Sequence, residues 1–268
     1  MTPEKNRHVV LAVGAHPDDV EINCAGTLRL LKGKGYEIHV ATMTLGDCGS
    51  RELSAAQICA QRRGEAEAAC ALLGGRYHYV GSHDFRVFND DQHNRMVTAL
   101  VRDVAPEIVL THQPHDYIVD HEATSVLVRN ACFYAPAPNY DTATISPATL
   151  PAAIPHLYYW DVMEGIDIFG KPVAPQFFVD VGSNIDFKAE MLARHASQRE
   201  WLRAQHGIDE YIITMREWSA IRGSEAAKMA DRNVTHAEAF RQHLGHAYPH
   251  TNVLAEILGQ YVIANPSY

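Results

Sequence analysis

The first hydrophobic segment of the chain ends in residues that could carry metal-dependent chemistry. The apolar run VVLAVGA predicts a buried strand, and His16, Pro17, Asp18 and Asp19 follow it directly. Imidazole and carboxylate groups are good ligands for zinc or iron, and a catalytic site uses three of them and keeps one position open for water. Adjacent turn residues point in different directions, so one aspartate could bind the metal while the other accepts a proton from the water.

A second group of ligand-type residues follows the strand predicted over residues 107–112. It contains His115, Asp120 and His121. In open parallel sheets, ligands bind outside the carboxyl ends of the strands, so both groups are expected at one rim, where His121 can complete the metal site. Each motif alone also fits a helix N-cap. Because the two motifs stand at corresponding strand ends, the sequence favours a metal site over two unrelated caps.

Short β-rich runs alternate with helical patterns in the first half of the chain. This alternation predicts an α/β fold with a Rossmann-like, mainly parallel sheet and helices on both faces. Strands are predicted over 8–15, 36–44, 77–81 and 107–112, and helices over 26–34, 54–73, 92–104 and 120–134. Polar residues follow each of these strands, so the pattern predicts one functional rim.

The second half of the chain is predicted to complete a single domain over residues 1–268, with a C-terminal mixed extension. Residues 1–134 are predicted to form the Rossmann-like half. The composition changes to Pro, Ala, Thr and Asn over residues 135–155, which predicts a variable loop. Residues 156–268 supply the completing strands and C-terminal helices. Within them, strands are predicted over 156–163 and 176–181, a helix over 185–205, and a mostly helical remainder with a loop near 223–234.

Composition restricts the partners of this chain. Its 268 residues are 47% hydrophobic and 21% charged, as in a soluble globular protein. The net charge of −9, with no run of Lys and Arg, argues against a nucleic-acid or anionic membrane partner. No window approaches the roughly 18 apolar residues of a membrane span. The five cysteines form no CxxC pair, which indicates reduced thiols and a cytoplasmic location. The composition is compatible with a homo-oligomer.

The motif AHPDD, combined with the DH pair after the fourth predicted strand, resembles the PIG-L/LmbE-like family of zinc-dependent N-deacetylases. The stretches DDVEINCAGTL at 18–28 and LGDCGSR at 45–51 are similar to the bacillithiol-type branch of that family. Similar patterns continue in Lys188 with HASQ at 195–198, and in RG at 222–223 with HAEAF at 236–240. The resemblance therefore extends over nearly the whole chain.

The resemblance implies a site and a reaction. His16, Asp19 and His121 would bind Zn²⁺, or Fe²⁺ in the cell, and Asp18 would act as the general base. The enzyme would hydrolyse the N-acetyl group of a small-molecule amino sugar, such as an N-acetylglucosamine conjugate. Further candidates are His115 and Asp120 for catalysis, and Glu21, Arg51 and Arg62 for substrate binding.

One position departs from the family pattern. The family has HPDH at the second motif, and its first histidine stabilises the oxyanion or protonates the leaving amine. This chain has HDYIVDH, so Ile118 occupies that place and can neither donate nor accept a proton. His115 is the nearest replacement in sequence, with Tyr117 and His195 as rivals. The alternatives are an amidase for a non-sugar N-acyl metabolite and a weakly active or non-catalytic sugar-binding protein.

Overall fold

Strands and helices alternate along the chain, in agreement with the apolar pattern. The structure is a computed structural model that describes residues 7–142, 150–206 and 210–268. The strands are β1 (Val9–Gly14), β2 (Glu37–Thr42), β3 (Arg76–Tyr79), β4 (Ile108–Thr111), β5 (His156–Trp160), β6 (Phe177–Asp180), β7 (Ala237–Gln242) and β8 (Val262–Ala264). The helices are α1 (Asp19–Gly33), α2 (Ala55–Leu72), α3 (Asp91–Val104), α4 (Val119–Tyr134), α5 (Ile185–Leu192), α6 (Ala196–His206), α7 (Glu210–Ala227) and α8 (Val253–Leu258). None of the described helices is long and apolar enough to cross a membrane.

The eight described strands form one sheet in the order β3-β2-β1-β4-β5-β7-β6-β8. The first five strands in this order pair in parallel. Strand β7 pairs antiparallel with β5 and β6, and β8 pairs antiparallel with β6. The predicted α/β fold, with a mainly parallel sheet and a mixed C-terminal part, is confirmed.

Helices cover both faces of the central strands. Val10 and Ala12 of β1 face a core built with α1, α2, α5 and α8, whereas Leu11 and Val13 face a core built with α3 and α4. Because both faces are covered, all six residues of β1 are buried. The sequence of this strand is therefore a continuous apolar run, as expected for a parallel sheet.

Helix α1 begins earlier than the sequence pattern predicts. The pattern places the start of this helix at residue 26, whereas the structure places it at Asp19. The first turn carries Asp19 and Glu21, whose side chains are polar but only 3% and 2% exposed. An amphipathic pattern counts such residues as solvent-facing, so it misses helical turns that lie in a buried polar site.

The C-terminal part contains strands where the sequence predicts helix, and that prediction was wrong. Residues AEAFRQ form β7 between β5 and β6, and VIA forms β8 at the sheet edge. Ala, Glu and Gln prefer helix, but this preference is below about 1 kcal/mol per residue and is overridden by pairing with two strands. The helix predicted over 185–205 is divided into α5 and α6. Residues 143–149 of the predicted loop lie outside the described residues.

A buried ion pair joins β7 to α1 and α5. Glu238 Oε1 lies 2.8 Å from Lys188 Nζ, and both side chains are 1% exposed. The same carboxylate accepts hydrogen bonds from the N–H groups of Gly26 and Thr27 and from Thr27 Oγ1. Gly26 is needed here, because a Cβ at this position would lie 2.6 Å from Val181. One cation and three donors compensate the buried carboxylate.

Replacing Glu238 with glutamine is expected to lower the free energy of unfolding by about 3–5 kcal/mol, because the Lys188 ammonium then stays buried without its counter-charge. Urea denaturation followed by circular dichroism measures this change. Glu256→Gln, an exposed control on α8, should change the free energy by less than about 0.5 kcal/mol. Equal stability of the two variants would show that the ion pair does not hold these elements together.

Candidate metal centre and active site

Two strand-to-helix connections bring the predicted metal ligands together. Strands β1 and β4 are parallel neighbours, so the segments that follow them leave the sheet at the same rim. His16 lies in the β1–α1 turn, Asp19 is the first residue of α1, and His121 lies in the first turn of α4. Gly14 at the end of β1 permits this arrangement, because a Cβ there would lie 2.8 Å from the Asp19 Cβ.

The three side chains direct nitrogen and oxygen atoms toward one point. His121 Nε2 lies 3.4 Å from Asp19 Oδ1, and His16 Nδ1 lies 3.7 Å from Asp19 Oδ2. One ligand atom of each residue lies within 4.8 Å of the other two. Metal–ligand bonds of about 2.0–2.2 Å in a tetrahedron separate the ligand atoms by roughly 3.3–3.6 Å. The spacing therefore fits an ion of the size of zinc.

The His121 ring gives an independent test of whether a metal fits. The residue is 2% exposed, and its Nε2 has no hydrogen-bond partner among the described residues. A buried nitrogen without a partner costs free energy, so such an atom in a folded protein needs an explanation. An ion held by His16, Asp19 and His121 would satisfy this nitrogen, and the donor set is the one that zinc and iron prefer.

A carboxylate lies beside the outer nitrogen of each histidine ligand. Asp120 Oδ2 makes a hydrogen bond with His16 Nε2 at 3.1 Å. Asp116 Oδ1 lies 3.3 Å from His121 Nδ1, at ion-pair distance but without hydrogen-bond geometry. Such partners fix the ring orientation and the tautomer of a metal ligand. Burial lowers the pKa of His121, but the carboxylates of Asp19 and Asp116 outweigh this effect and raise the pKa to about 10. The negative charge that attracts this proton would attract a metal cation equally.

The buried Trp160 side chain contacts His112, and His112 in turn contacts Asp19. Trp160 Nε1 lies 3.3 Å from His112 Nδ1 and donates to it, because an indole nitrogen can only donate. His112 Nε2 lies 3.1 Å from Asp19 Oδ2 and accepts the Ala15 N–H at 3.0 Å. The His16 N–H donates to Asp19 Oδ2 at 2.7 Å, so this oxygen is occupied. The other oxygen, Oδ1, faces His121 and is available to the metal.

Asp18 lies beside the ligands in a strained backbone conformation. Its φ is 106°, and a left-handed conformation of this kind costs a non-glycine residue about 1–3 kcal/mol and concentrates at functional sites. Its Oδ2 accepts a hydrogen bond from Tyr211 at 2.5 Å and lies 3.5 Å from Arg62 Nη2. Burial raises the pKa of the Asp18 carboxyl, and the charge of Arg62 opposes this rise. The carboxyl is therefore suited to accept a proton.

Arg62 supports the turn that carries Asp18. Its Nη2 donates to the Pro17 carbonyl at 3.0 Å. The guanidinium passes over Gly46, where φ is +70° and a Cβ would lie 2.1 Å from Nη1. Arg62 is 5% exposed and lines the cavity described next. The substrate-binding role predicted for it stays a prediction, because its hydrogen bond to Pro17 serves the turn.

Two of the proposed ligands, His16 and Asp19, lie at the wall of a cavity of about 680 Å³. Small-molecule sites occupy about 300–1,000 Å³, so the cavity is large enough for a substrate of one or two rings. Five described non-glycine residues have a left-handed φ, and three of them, Asp18, Phe85 and Glu164, line this cavity. Strained residues cluster at functional sites, so this distribution marks the cavity as functional.

The structure brings some of the predicted residues to this site and places others elsewhere. His16, Asp18, Asp19 and Arg62 line the cavity, His121 lies against Asp19, and Asp120 holds His16. The other three predicted residues do not line the cavity. The His115 side chain is 92% exposed and lies 3.8 Å from Glu122, Glu21 is buried 3.4 Å from His195, and Arg51 is exposed. The geometry thus gives no support for catalysis by His115.

Sequence reasoning missed several residues that shape the site. Tyr211 and Trp160 belong to no motif, and only packing brings them to Asp18 and to His112. Asp84 is 7% exposed, lines the cavity and has no partner for Oδ1 among the described residues. The sequence places it at the predicted rim, directly after the third strand, but predicts no role for it.

Comparisons with known proteins relate the first half of the chain to one protein family. The sequence profile of the PIG-L family, described as GlcNAc-PI de-N-acetylase, matches residues 11–132. A 4-oxalmesaconate hydratase from Pseudomonas putida is 30% identical over 147 residues, which cover 52% of this chain and 56% of that protein. A 1D-myo-inositol 2-acetamido-2-deoxy-alpha-D-glucopyranoside deacetylase from Rhodococcus erythropolis is 29% identical over 58% of this chain and 61% of its own length. Each match spans less than two thirds of the relative.

Residues 11–132 match the PIG-L family, and the resemblance of the motifs to that family is confirmed. This range contains every residue of the candidate metal centre. A solved structure, N,N'-diacetylchitobiose deacetylase from Pyrococcus horikoshii, shares the fold with a TM-score of 0.74. It is 22% identical, and the superposition covers 94% of this chain and 90% of that one.

Proposed function

We propose that the protein is a metal-dependent hydrolase that removes the N-acetyl group from a small amino-sugar compound of the N-acetylglucosamine type. The observation that carries the proposal is the group of His16, Asp19 and His121 with Asp18 beside it, inside a PIG-L domain. The deacetylase name of the Rhodococcus erythropolis relative supports the same reaction. Zn²⁺ is the proposed metal, with Fe²⁺ as second candidate, because both accept these ligands. A cytoplasmic location is proposed with it.

The residues around the ligands have different roles in amide hydrolysis. A bound divalent metal would supply Lewis acidity, which polarises a carbonyl and lowers the pKa of water to about 7. Asp18 accepts the proton of the attacking water and returns it to the nitrogen of the leaving amine. Tyr211 donates to Oδ2 of this carboxylate, so that Oδ1 is the oxygen that takes the proton. Asp120 and Asp116 keep the two histidine rings in place.

Tyr117 is proposed to replace the histidine that relatives carry where this chain has Ile118. Tyr117 lines the cavity, and its ring stands at 82° to the His121 ring with centroids 5.3 Å apart. The two other candidates face elsewhere, since His115 is exposed and His195 is buried against Glu21. A phenol keeps its proton at neutral pH. Its O–H can therefore donate to the oxyanion that forms on the substrate carbonyl.

Tyr117→Phe is expected to lower kcat about 10²–10³-fold while the metal content stays unchanged, because the variant loses one donor to the oxyanion. Steady-state kinetics of acetate release measures the effect. Tyr134→Phe, at the other end of α4, is the matched control and should keep the kcat of the unmodified enzyme. A Tyr117→Phe variant with unchanged kcat would exclude this role.

A hydratase is the second candidate function. It is favoured by the 30% identity to the 4-oxalmesaconate hydratase over 147 residues. A general base beside an activated water can serve the addition of water to a double bond as well as the hydrolysis of an amide. The two functions therefore differ in the substrate that the cavity accepts.

An acetate-release assay on the zinc-loaded full chain tests the proposal. The panel contains N-acetylglucosamine, its glycosides, N-acetylated alkyl amines and an unsaturated tricarboxylic oxo-acid. Acetate is expected from the amino sugars. Loss of the unsaturated chromophore without any acetate release would instead assign a hydratase, and acetate from the alkyl amides alone would assign a non-sugar amidase. Saturable sugar binding without turnover at any pH would indicate a binding protein.

A further inference from the structure

One face of helix α7 forms a wall of the cavity, and the proposed reaction uses only its first residue. Tyr211, Thr214, Met215 and Trp218 line the cavity and follow the i, i+3, i+4, i+7 spacing of one helical face. Tyr211 donates to Asp18, so this wall begins at the proposed general base. At about 1.5 Å per residue, Trp218 lies roughly 10 Å further along the helix axis. The wall is therefore longer than one pyranose ring.

The proposed roles of Asp18 and Tyr117 set which end of a substrate faces this wall. Asp18 returns a proton to the leaving nitrogen, which belongs to the amino sugar. Tyr117, the proposed donor to the oxyanion, stands beside His121, so the acyl carbonyl belongs on that side. The sugar then lies next to Asp18 and Tyr211, and its aglycone, the group attached to C1, extends along α7 toward Trp218.

The segment after β5 adds apolar surface at the far end of the cavity. Met163 and Ile166 line the cavity from this segment, which connects β5 to β6. Ile166 is 38% exposed and Trp218 is half-buried, so both side chains keep apolar surface that a ligand can cover. Removing such surface from water is favourable. A sugar hydroxyl would find no donor or acceptor on these three side chains other than the indole N–H.

Arg222 of α7 holds the segment after β5 in place. Its side chain is 7% exposed, and its Nη2 donates to the carbonyls of Val173 at 3.1 Å and Gly165 at 3.4 Å. Gly165 has a φ of +68° and leaves room for the guanidinium, since a Cβ there would lie 2.5 Å from Nη2. One helix thus carries Trp218 and fixes the segment that adds the other apolar residues, so this part of the cavity is formed before a ligand binds.

Charged groups at the same end of the cavity restrict the ligand further. Glu164 and Asp167 line the cavity in the same segment as Met163 and Ile166. Burial of any charge against apolar side chains costs free energy, and the two carboxylates oppose an anion in addition. An uncharged apolar group therefore fits this end of the cavity better than a phosphate or a carboxylate.

We propose that Trp218, Met163 and Ile166 form a subsite for an uncharged aglycone with a flat apolar face, such as a benzyl group, on the N-acetylated amino sugar. This inference rests on the proposed deacetylase function and names its substrate class. The sugar brings its N-acetyl group to Asp18, and the aglycone packs on the Trp218 indole.

A matched pair of glycosides tests the proposal. The methyl and benzyl glycosides of N-acetylglucosamine, each prepared as both anomers, share the sugar and differ in the aglycone. Acetate release by the zinc-loaded full chain gives kcat/KM for each compound. We expect a kcat/KM about tenfold higher for the benzyl glycoside, since burial of roughly 60 Å² of apolar surface supports this ratio. Equal kcat/KM values overturn this inference alone. If neither glycoside releases acetate, the proposed deacetylase function fails as well.

Two further compounds test other occupants of the wall. A disaccharide with glucose as the aglycone should have a kcat/KM close to that of the methyl glycoside, and a value above that of the benzyl glycoside would show that the wall binds a second sugar. The N-hexanoyl analogue of the methyl glycoside should not react faster than the N-acetyl compound. Faster reaction would show that the wall binds the acyl chain. Either contrary result overturns the inference.

Variants locate the preference within the cavity. In Trp218→Ala and Ile166→Asn the benzyl-to-methyl ratio of kcat/KM should fall toward one. Ile168→Asn is the matched control, because Ile168 lies in the same segment, is 65% exposed and does not line the cavity. It should keep the ratio of the unmodified chain. Ile166→Asn changes a partly exposed residue, so it tests the subsite even if Trp218→Ala does not fold. An unchanged ratio in folded Ile166→Asn overturns the inference.

Discussion

Asp18→Asn is expected to lower kcat for N-acetyl hydrolysis about 10²–10⁴-fold, because an amide cannot accept the proton of the attacking water. The substitution keeps the shape of the side chain, so its contacts to Tyr211 and Arg62 are disturbed little. Metal content should stay unchanged, since the proposed ligands are His16, Asp19 and His121, which form a group able to hold a metal ion. Acetate release and metal analysis on one preparation measure the two quantities together.

The control for this prediction is Asp103→Asn, which changes an exposed carboxylate on α3 and should keep both kcat and metal content. Full turnover by metal-loaded Asp18→Asn would contradict the assignment of the general base. Loss of metal in the same variant would show that Asp18 is a ligand. Either result would require a different division of roles between Asp18 and Asp19.

His121→Ala is expected to lose both the metal and the activity, because it removes one of three ligands and leaves Asp19 and Asp116 in a buried site without a cation. After dialysis against a weak chelator, metal analysis should find close to no zinc in this variant. The unmodified chain should retain about one ion, as expected for a site with three protein ligands.

His115→Ala is the matched control, because it removes a histidine from the same β4–α4 connection whose side chain is 92% exposed. It should keep its zinc and its kcat. A large loss of kcat in His115→Ala would restore the catalytic role that the sequence predicts for this residue. Retention of zinc by His121→Ala would show that the metal is bound by other groups.

The sequence predicted the first half of the fold because its signals there are local. The runs that form β1 and β4 are apolar on both faces, those that form β2 and β3 contain β-branched or aromatic residues, and helical patterns separate them. Strand β7 was missed because AEAFRQ has the composition of a helix, and its strand conformation depends on β5 and β6 and on the Lys188–Glu238 ion pair. The start of α1 was missed because its polar residues are buried.

The convergence of His16, Asp19 and His121 could be predicted because it follows from topology. Parallel neighbouring strands place the residues after them at one rim, whatever the side chains are. The partners of these residues could not be predicted, since Tyr211 and Trp160 lie far away in the chain and reach the site only through packing. The sequence names Tyr117 as one of three replacements for the missing histidine, but its orientation toward His121 depends on the course of one loop and could not be predicted.

Zinc titration of the metal-stripped protein, with acetate release from an N-acetyl amino sugar measured at each step, tests the proposed metal centre most directly. The structure predicts that activity is absent without metal, rises in proportion to bound zinc and levels off at about one ion per chain, as one site with three protein ligands requires. Full acetate release by the metal-free protein would contradict it, as would a fully loaded protein that releases acetate from no amide in the panel.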